Sequence, residues 1–110
     1  MHIWVKKLSI NDVEQNGKVS VFINFSTVKD VSIIEDIINK SKNYGKIVKA
    51  KIYVEQDEME NYKDSILAIS KLGIEPVVII LAKNVRMAID LLDDAYDSNI
   101  DIIILVHDNE

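Results

Sequence analysis

The chain has 110 residues, 48% hydrophobic and 28% charged, with no cysteine and a formal net charge of −5 at pH 7. That is enough apolar material for one core and too little polarity for a disordered chain, while disulfides, thiolate nucleophiles and cysteine-ligated zinc are excluded. No apolar run approaches the roughly 20 residues that span a bilayer, and the lysines of "MHIWVKKL" follow its apolar piece instead of preceding it, so a cytoplasmic protein without membrane contact is expected.

Taken in chain order, residues 1–17 form an N-terminal extension in which "HIWVKKL" reads as an extra strand and Asn16-Gly17 as a tight hairpin turn. His2 and Trp4 read as packing and surface residues. "KVSVFINFSTV", residues 18–28, is a buried strand whose apolar run stops at Asn24, Ser26 and Thr27. "SIIE" at Ser32 has capping-box spacing, Ile33, Ile34, Ile37 and Ile38 make an apolar stripe, and Gly45 marks the helix stop. "KIVKAKIYV" alternates with strand period, setting Val48, Ala50, Ile52 and Val54 against Lys49 and Lys51.

"QDEMENYKDSILAISKLG" places Met59, Tyr62, Ile66 and Ile69 at helical spacings and ends in Gly73. "IEPVVIILA" is a continuous apolar run beside Pro76, the pattern of a buried strand. Asn84 is the N-cap expected for a last helix with Ala88, Leu91, Leu92 and Ala95 inward and Asp93, Asp94 and Asp97 facing water. "IDIIILVH", residues 100–107, is the closing strand.

Strand and helix alternate, so the fold class is α/β: a small doubly wound, mostly parallel sheet of about four strands with helices on both faces. Ligands of such sheets gather at the carboxyl ends of the strands, which directs attention to residues 24–27, 84–86 and 107–110. No glycine-rich phosphate loop is present, since Gly17, Gly45 and Gly73 stand alone, and His2 and His107 lack a third partner at ligand spacing.

Charge is unevenly spread: residues 1–51 carry nine lysines against five acids, and residues 52–110 four bases against thirteen acids. Lys40, Lys42, Lys46, Lys49 and Lys51 run with no acid among them. This is a solvated lysine face in the plainer reading, and in the other a surface that contacts RNA together with Ser26 and Thr27.

"VFINFSTV", "KNVRMAID" and "IDIIILVHDNE" resemble, in order and spacing, the motifs of NYN domains of the PIN-like nuclease superfamily, and the resemblance covers residues 18–110. It implies a metal-dependent ribonuclease whose strand-end carboxylates hold Mg²⁺ or Mn²⁺, the metal activating water for attack on phosphorus. Carried over by position, the acid ending the first strand falls on Asn24, the acid opening the third helix on Asn84, and the first acid of the final motif on Asn109. All three are amides. The later helix aspartate is kept as Asp90, the asparagine of the first motif is Thr27, and the usual Ser-Gly reads His107-Asp108. The second acid of the last motif falls beyond Glu110, and the family's closing helix and fifth strand have no counterpart, so a truncated domain is implied.

An amide oxygen ligates a hard cation without neutralising it, so three amides are expected to abolish the metal site, leaving no cofactor. The first function expected is a degenerate, catalytically inactive module for interaction or RNA contact. The alternative is an active Mg²⁺- or Mn²⁺-dependent ribonuclease using displaced carboxylates, Asp90 and Asp108. A third is a redesigned or deliberately inactivated fragment of such a nuclease. The implied strand order, 3-2-1-4-5 without the fifth, leaves Ile102 through Val106 as an open apolar edge, so a homo-oligomer or a partner strand is expected there.

Overall fold

The structure is a computed structural model describing residues 1–8, 17–97 and 99–108. The turn position Asn16, the carried-over Asn109 and Glu110 lie outside the described residues. Five strands, β1 (His2–Lys7), β2 (Lys18–Asn24), β3 (Lys46–Glu55), β4 (Glu75–Ile79) and β5 (Ile102–His107), form one sheet in the order β1-β5-β2-β3-β4. The pairs β5–β2, β2–β3 and β3–β4 are parallel, and β1 runs antiparallel to β5. The helices are α1 (Val31–Ser41), α2 (Gln56–Asn61), α3 (Lys63–Lys71) and α4 (Lys83–Ala95), with a 3₁₀ turn at Lys42–Tyr44. Among the described residues no helix is long and apolar enough to cross a membrane.

The two sheet faces are covered unequally. On one, Val21, Ile23, Ile52, Val54 and Ile104 pack against Ile34, Ile37 and Ile38 of α1 and Ile66 and Ile69 of α3. On the other, Phe22, Tyr53 and Ile103 meet Met87 of α4, with Ile79 and Ile100 alongside. The period-2 alternation of each central strand supplies both faces, so β2 is buried from Val19 to Asn24.

Several expectations are corrected. Among the described residues the sheet holds the four strands expected between residues 18 and 107, in the implied order, together with the extra strand read in "HIWVKKL": β1 occupies the place beside β5 where the implied fifth strand would lie, pairing from His2↔His107 to Lys7↔Ile102. The edge expected to be open at Ile102 through Val106 is therefore covered, its backbone groups satisfied within the chain. Helix α1 is capped by Asp30, whose carboxylate accepts from the N–H groups of Ser32 and Ile33, and not from Ser32 onward. The long helix expected after Val54 is two, divided at Tyr62, whose φ of −123° leaves the α region. The run after Pro76 leaves the strand at Ile79, and Ile80 and Leu81 are exposed.

In β3 the register against β2 slips by one residue, from Val19↔Ile47 to Ser20↔Lys49. This bulge turns Val48 out toward solvent, and Ile47 packs in its stead beside Ala50. Helix α4 is also rotated from the expected face. Lys83, Met87 and Asp94 are buried, whereas Leu92, Ala88 and Ala95 are exposed. The cause lies in the sheet: Lys49 projects from β3 and its Nζ meets the buried Asp94 carboxylate at 2.8 Å. That contact explains how a lysine sits on a helix-covered face, since the charge is paired where it is desolvated.

Candidate functional site

At the carboxyl ends of β2 and β3 three segments converge. The buried strand β2 carries Asn24 to the sheet's end, where its side-chain oxygen accepts from the Ser26 N–H at 3.1 Å and its carbonyl from the Thr27 N–H at 3.0 Å. This side-chain-to-backbone turn folds the chain back and points the Ser26 hydroxyl at α2. There Glu58 closes a capping box: its Oε1 accepts from the Glu55 N–H at 2.9 Å, and its Oε2 accepts from the Ser26 hydroxyl at 2.7 Å.

The third segment is the entry to α4. Ala82 stands in the left-handed region with φ 59°, an uncommon choice without a glycine, and the next residue, Lys83, opens the helix with its side chain buried in the site. Its Nζ donates to the Ser26 Oγ at 2.5 Å, and lies 3.5 Å from Glu58 Oε1 and 3.6 Å from Glu55 Oε1. An ammonium thus sits between two carboxylates and a hydroxyl, with Asn24 joined through Ser26. Burial by itself pushes the Glu58 carboxyl up, but the Glu55 N–H, the Ser26 hydroxyl and the Lys83 charge together outweigh it and hold the group below its ordinary range.

Two further contacts flank this cluster. The Tyr53 hydroxyl donates to Asp90 Oδ2 at 2.5 Å, and Arg86 Nε lies 3.4 Å from both oxygens of that carboxylate. Burial first, and then the Asp90 bond, drive the Tyr53 hydroxyl far above its ordinary range, so it stays a neutral phenol and keeps the proton it donates to Asp90. At the end of β5, His107 Nε2 lies 3.3 Å from the Asn84 side-chain oxygen and Nδ1 is 2.6 Å from the Asp108 carbonyl. The Asp108 carboxylate faces the Met1 ammonium at 3.7 Å.

Of the residues singled out in the sequence, Asn24, Ser26, Asn84 and His107 gather at this end of the sheet, while Asp90 and Asp108 are held in separate contacts. Thr27 is half-buried, and its hydroxyl finds no hydrogen-bond partner among the described residues. The lysines lie elsewhere. Lys46 opens β3 nine residues before Glu55, about 30 Å away at strand rise, and Lys40 and Lys42 sit in the last turn of α1 and the 3₁₀ turn leading into it. Lys49 is paired with Asp94, and Lys51 is half-buried in mid-strand.

Glu58, Lys83, Tyr53 and Asp94 were not singled out by sequence reasoning. Glu55 and Glu58 carry the spacing of a capping box, and Lys83 stands directly before the carried-over Asn84, so a signal for these existed. Asp94 had none, lying among other acids of a polar helix.

The donor set decides whether a divalent cation fits. Among the described residues no three His, Asp or Glu side chains come together as a metal site. The two carboxylates that do converge, Glu55 and Glu58, already share the Lys83 ammonium, which sits where a cation would and offsets one of their two charges, and the Asn24 amide oxygen is engaged by Ser26. As they stand these residues do not fit Mg²⁺ or Mn²⁺, which require several oxygen ligands in near-octahedral array.

No curated protein and no solved structure matches the chain. A family model described as the NYN domain matches residues 18–110, the span over which the strand-end amides, the parallel sheet and the α4 entry have just been described. The chain belongs to the NYN domain family of the PIN-like nuclease superfamily.

Proposed function

We propose that this NYN domain is a non-hydrolytic, interaction-type member of its family, in which a lysine ammonium supplies the positive charge that a metal would otherwise bring. The observation that carries this reading is Lys83, buried against Ser26, Glu58 and Glu55 at the carboxyl end of the sheet beside the amide Asn24. An ammonium offsets one of the two carboxylate charges but has no coordination position for water, so it generates no metal-bound hydroxide and templates no in-line attack. Glu58 and Ser26 are both hydrogen-bonded to structural partners, which leaves neither free to act as a general base.

The displaced-carboxylate reading has less support, because Asp90 is bonded to Tyr53 and Asp108 faces the N-terminus. RNA contact, where it occurs, belongs to Lys40, Lys42 and Lys46, at the opposite end of the sheet from the Lys83 cluster. The test is incubation of labelled single-stranded and structured RNA with the chain and Mn²⁺, alongside binding measured by fluorescence anisotropy. No chelator-sensitive cleavage is expected. Cleavage that a chelator stops, and that Asp90→Ala or Asp108→Ala removes, would overturn the proposal.

A further inference from the structure

Helix α4 is apolar on two opposite sides. Met87 and Leu91 pack toward the sheet. The other side carries Val85, Ile89, Leu92 and Tyr96, spaced four, three and four residues apart, and it is continuous in sequence with Ile80 and Leu81 just before the helix. All six are exposed, from Ile89 at 51% to Tyr96 at 87%. At about 160–250 Å² for a whole side chain of these types they present roughly 800 Å², one partner's share of a standard interface and more than the largest apolar patch of an ordinary monomer.

Four-three-four spacing is the seam of a two-helix coiled coil. Ala88 and Ala95 line one flank of this seam and permit close approach, and Arg86 and Asp93 line the other. We infer that the seam is occupied by a second copy of this chain, with the two α4 helices antiparallel about a twofold axis. Run antiparallel, the seam sets Val85 against Tyr96 of the partner subunit and Ile89 against Leu92 of the partner subunit, and the axis repeats each layer, small residue facing large.

The same arrangement brings Arg86 alongside Asp93 of the partner subunit, twice by symmetry, and opposes the helix dipoles. A parallel pair would instead stack Tyr96 on Tyr96 of the partner subunit and bring the acidic C-terminal halves, with Asp93, Asp94 and Asp97, side by side. Nucleic acid and anionic lipid fit the surface poorly, since its charge is acidic and its centre apolar. The inference goes beyond the function proposed above and stands independently of the Lys83 cluster.

The full chain is examined by light scattering after size exclusion, from micromolar to near-millimolar concentration. Wild type is expected to reach twice the 12.5 kDa monomer mass at the upper end. Leu92→Glu, on a side chain exposed in the monomer, is expected to stay monomeric with an unchanged circular dichroism spectrum. Arg86→Asp and Asp93→Arg are each expected to weaken dimerisation at least about tenfold, and an equimolar mixture of the two to recover it, because each foreign pair is then again oppositely charged. A wild type monomeric at all concentrations, a dimer untouched by Leu92→Glu, or a mixture no tighter than its components would overturn the inference.

Discussion

Replacing Lys83 by methionine keeps the length of the side chain and removes its charge. Two unit charges 3.5 Å apart, as Lys83 and Glu58 are, attract by about 5 kcal/mol at an effective dielectric near 20, before either is desolvated. Removing one member of a buried pair costs about 3–5 kcal/mol, and Glu58 keeps its bonds from Ser26 and the Glu55 N–H, so the lower end, about 3 kcal/mol, is expected. In urea that loss lowers the midpoint by about 2 M at a slope near 1.5 kcal/mol per M.

The cost also depends on pH. Glu58 is held below its ordinary value of 4.5, so its contribution is present above that value and is lost as pH falls through the folded-state pKa. In Lys83→Met the burial that pushes the carboxyl up is no longer opposed by the ammonium, and a protonated Glu58 needs no counter-charge. The gap between wild type and variant should therefore narrow in acid. A double-mutant cycle with Glu58→Gln isolates the pair and should return a coupling of at least about 1.5 kcal/mol. A loss under about 1 kcal/mol that is the same at pH 7 and pH 4 would refute the reasoning.

Four other outcomes follow from the same contacts. Lys83→Ala leaves Glu55 and Glu58 facing an uncompensated space, so Mn²⁺ should raise its melting temperature, by an amount worth about 1.4 kcal/mol at ten times the dissociation constant, and leave wild type unmoved. Gly45→Ala would place a Cβ 2.1 Å from the Gly17 carbonyl oxygen at φ 149°, so a destabilisation of about 3 kcal/mol by thermal melting is expected. The hydrogen bond to Asp94 raises the Lys49 pKa above 10.5 despite its partial burial, so the pair stabilises fully below that value and fades as pH rises through the folded-state pKa. Lys49→Met strands the buried Asp94 and should cost about 2 kcal/mol near neutrality, allowing for the partial exposure of Lys49, with the deficit shrinking above pH 10.5. Deleting residues 1–8 from the Leu92→Glu chain removes the antiparallel partner of β5 and exposes its apolar edge, so light scattering should detect association at concentrations where the undeleted Leu92→Glu chain is monomeric.

Much of the architecture is legible in local pattern. The alternation of "KVSVFIN" and the stripe of Ile34, Ile37 and Ile38 each encode a period, and a regular succession of strand and helix admits few arrangements other than a parallel sheet covered on both faces. The amides at Asn24 and Asn84 are likewise visible from the sequence, as is the family. Local pattern reaches less far where two faces compete. Helix α4 has an apolar stripe at Met87 and Leu91 and another at Val85, Ile89 and Leu92, and periodicity alone does not rank them.

The sequence by itself thus determined the class of fold, the neutral residues at the strand ends and the kinship with nucleases, because those depend on residue type and short spacing. Tertiary structure decided the rest. Whether Asp94 or Leu92 faces inward depends on Lys49, 45 residues away and on another element. Whether the edge of β5 is open depends on β1, some hundred residues earlier in the chain. And the charge that fills the site comes from Lys83, which local pattern marks only as a polar residue before a helix. It becomes a buried counter-ion because α4 begins where Ser26 and Glu58 already wait, and a desolvated carboxylate takes the nearest cation the fold delivers.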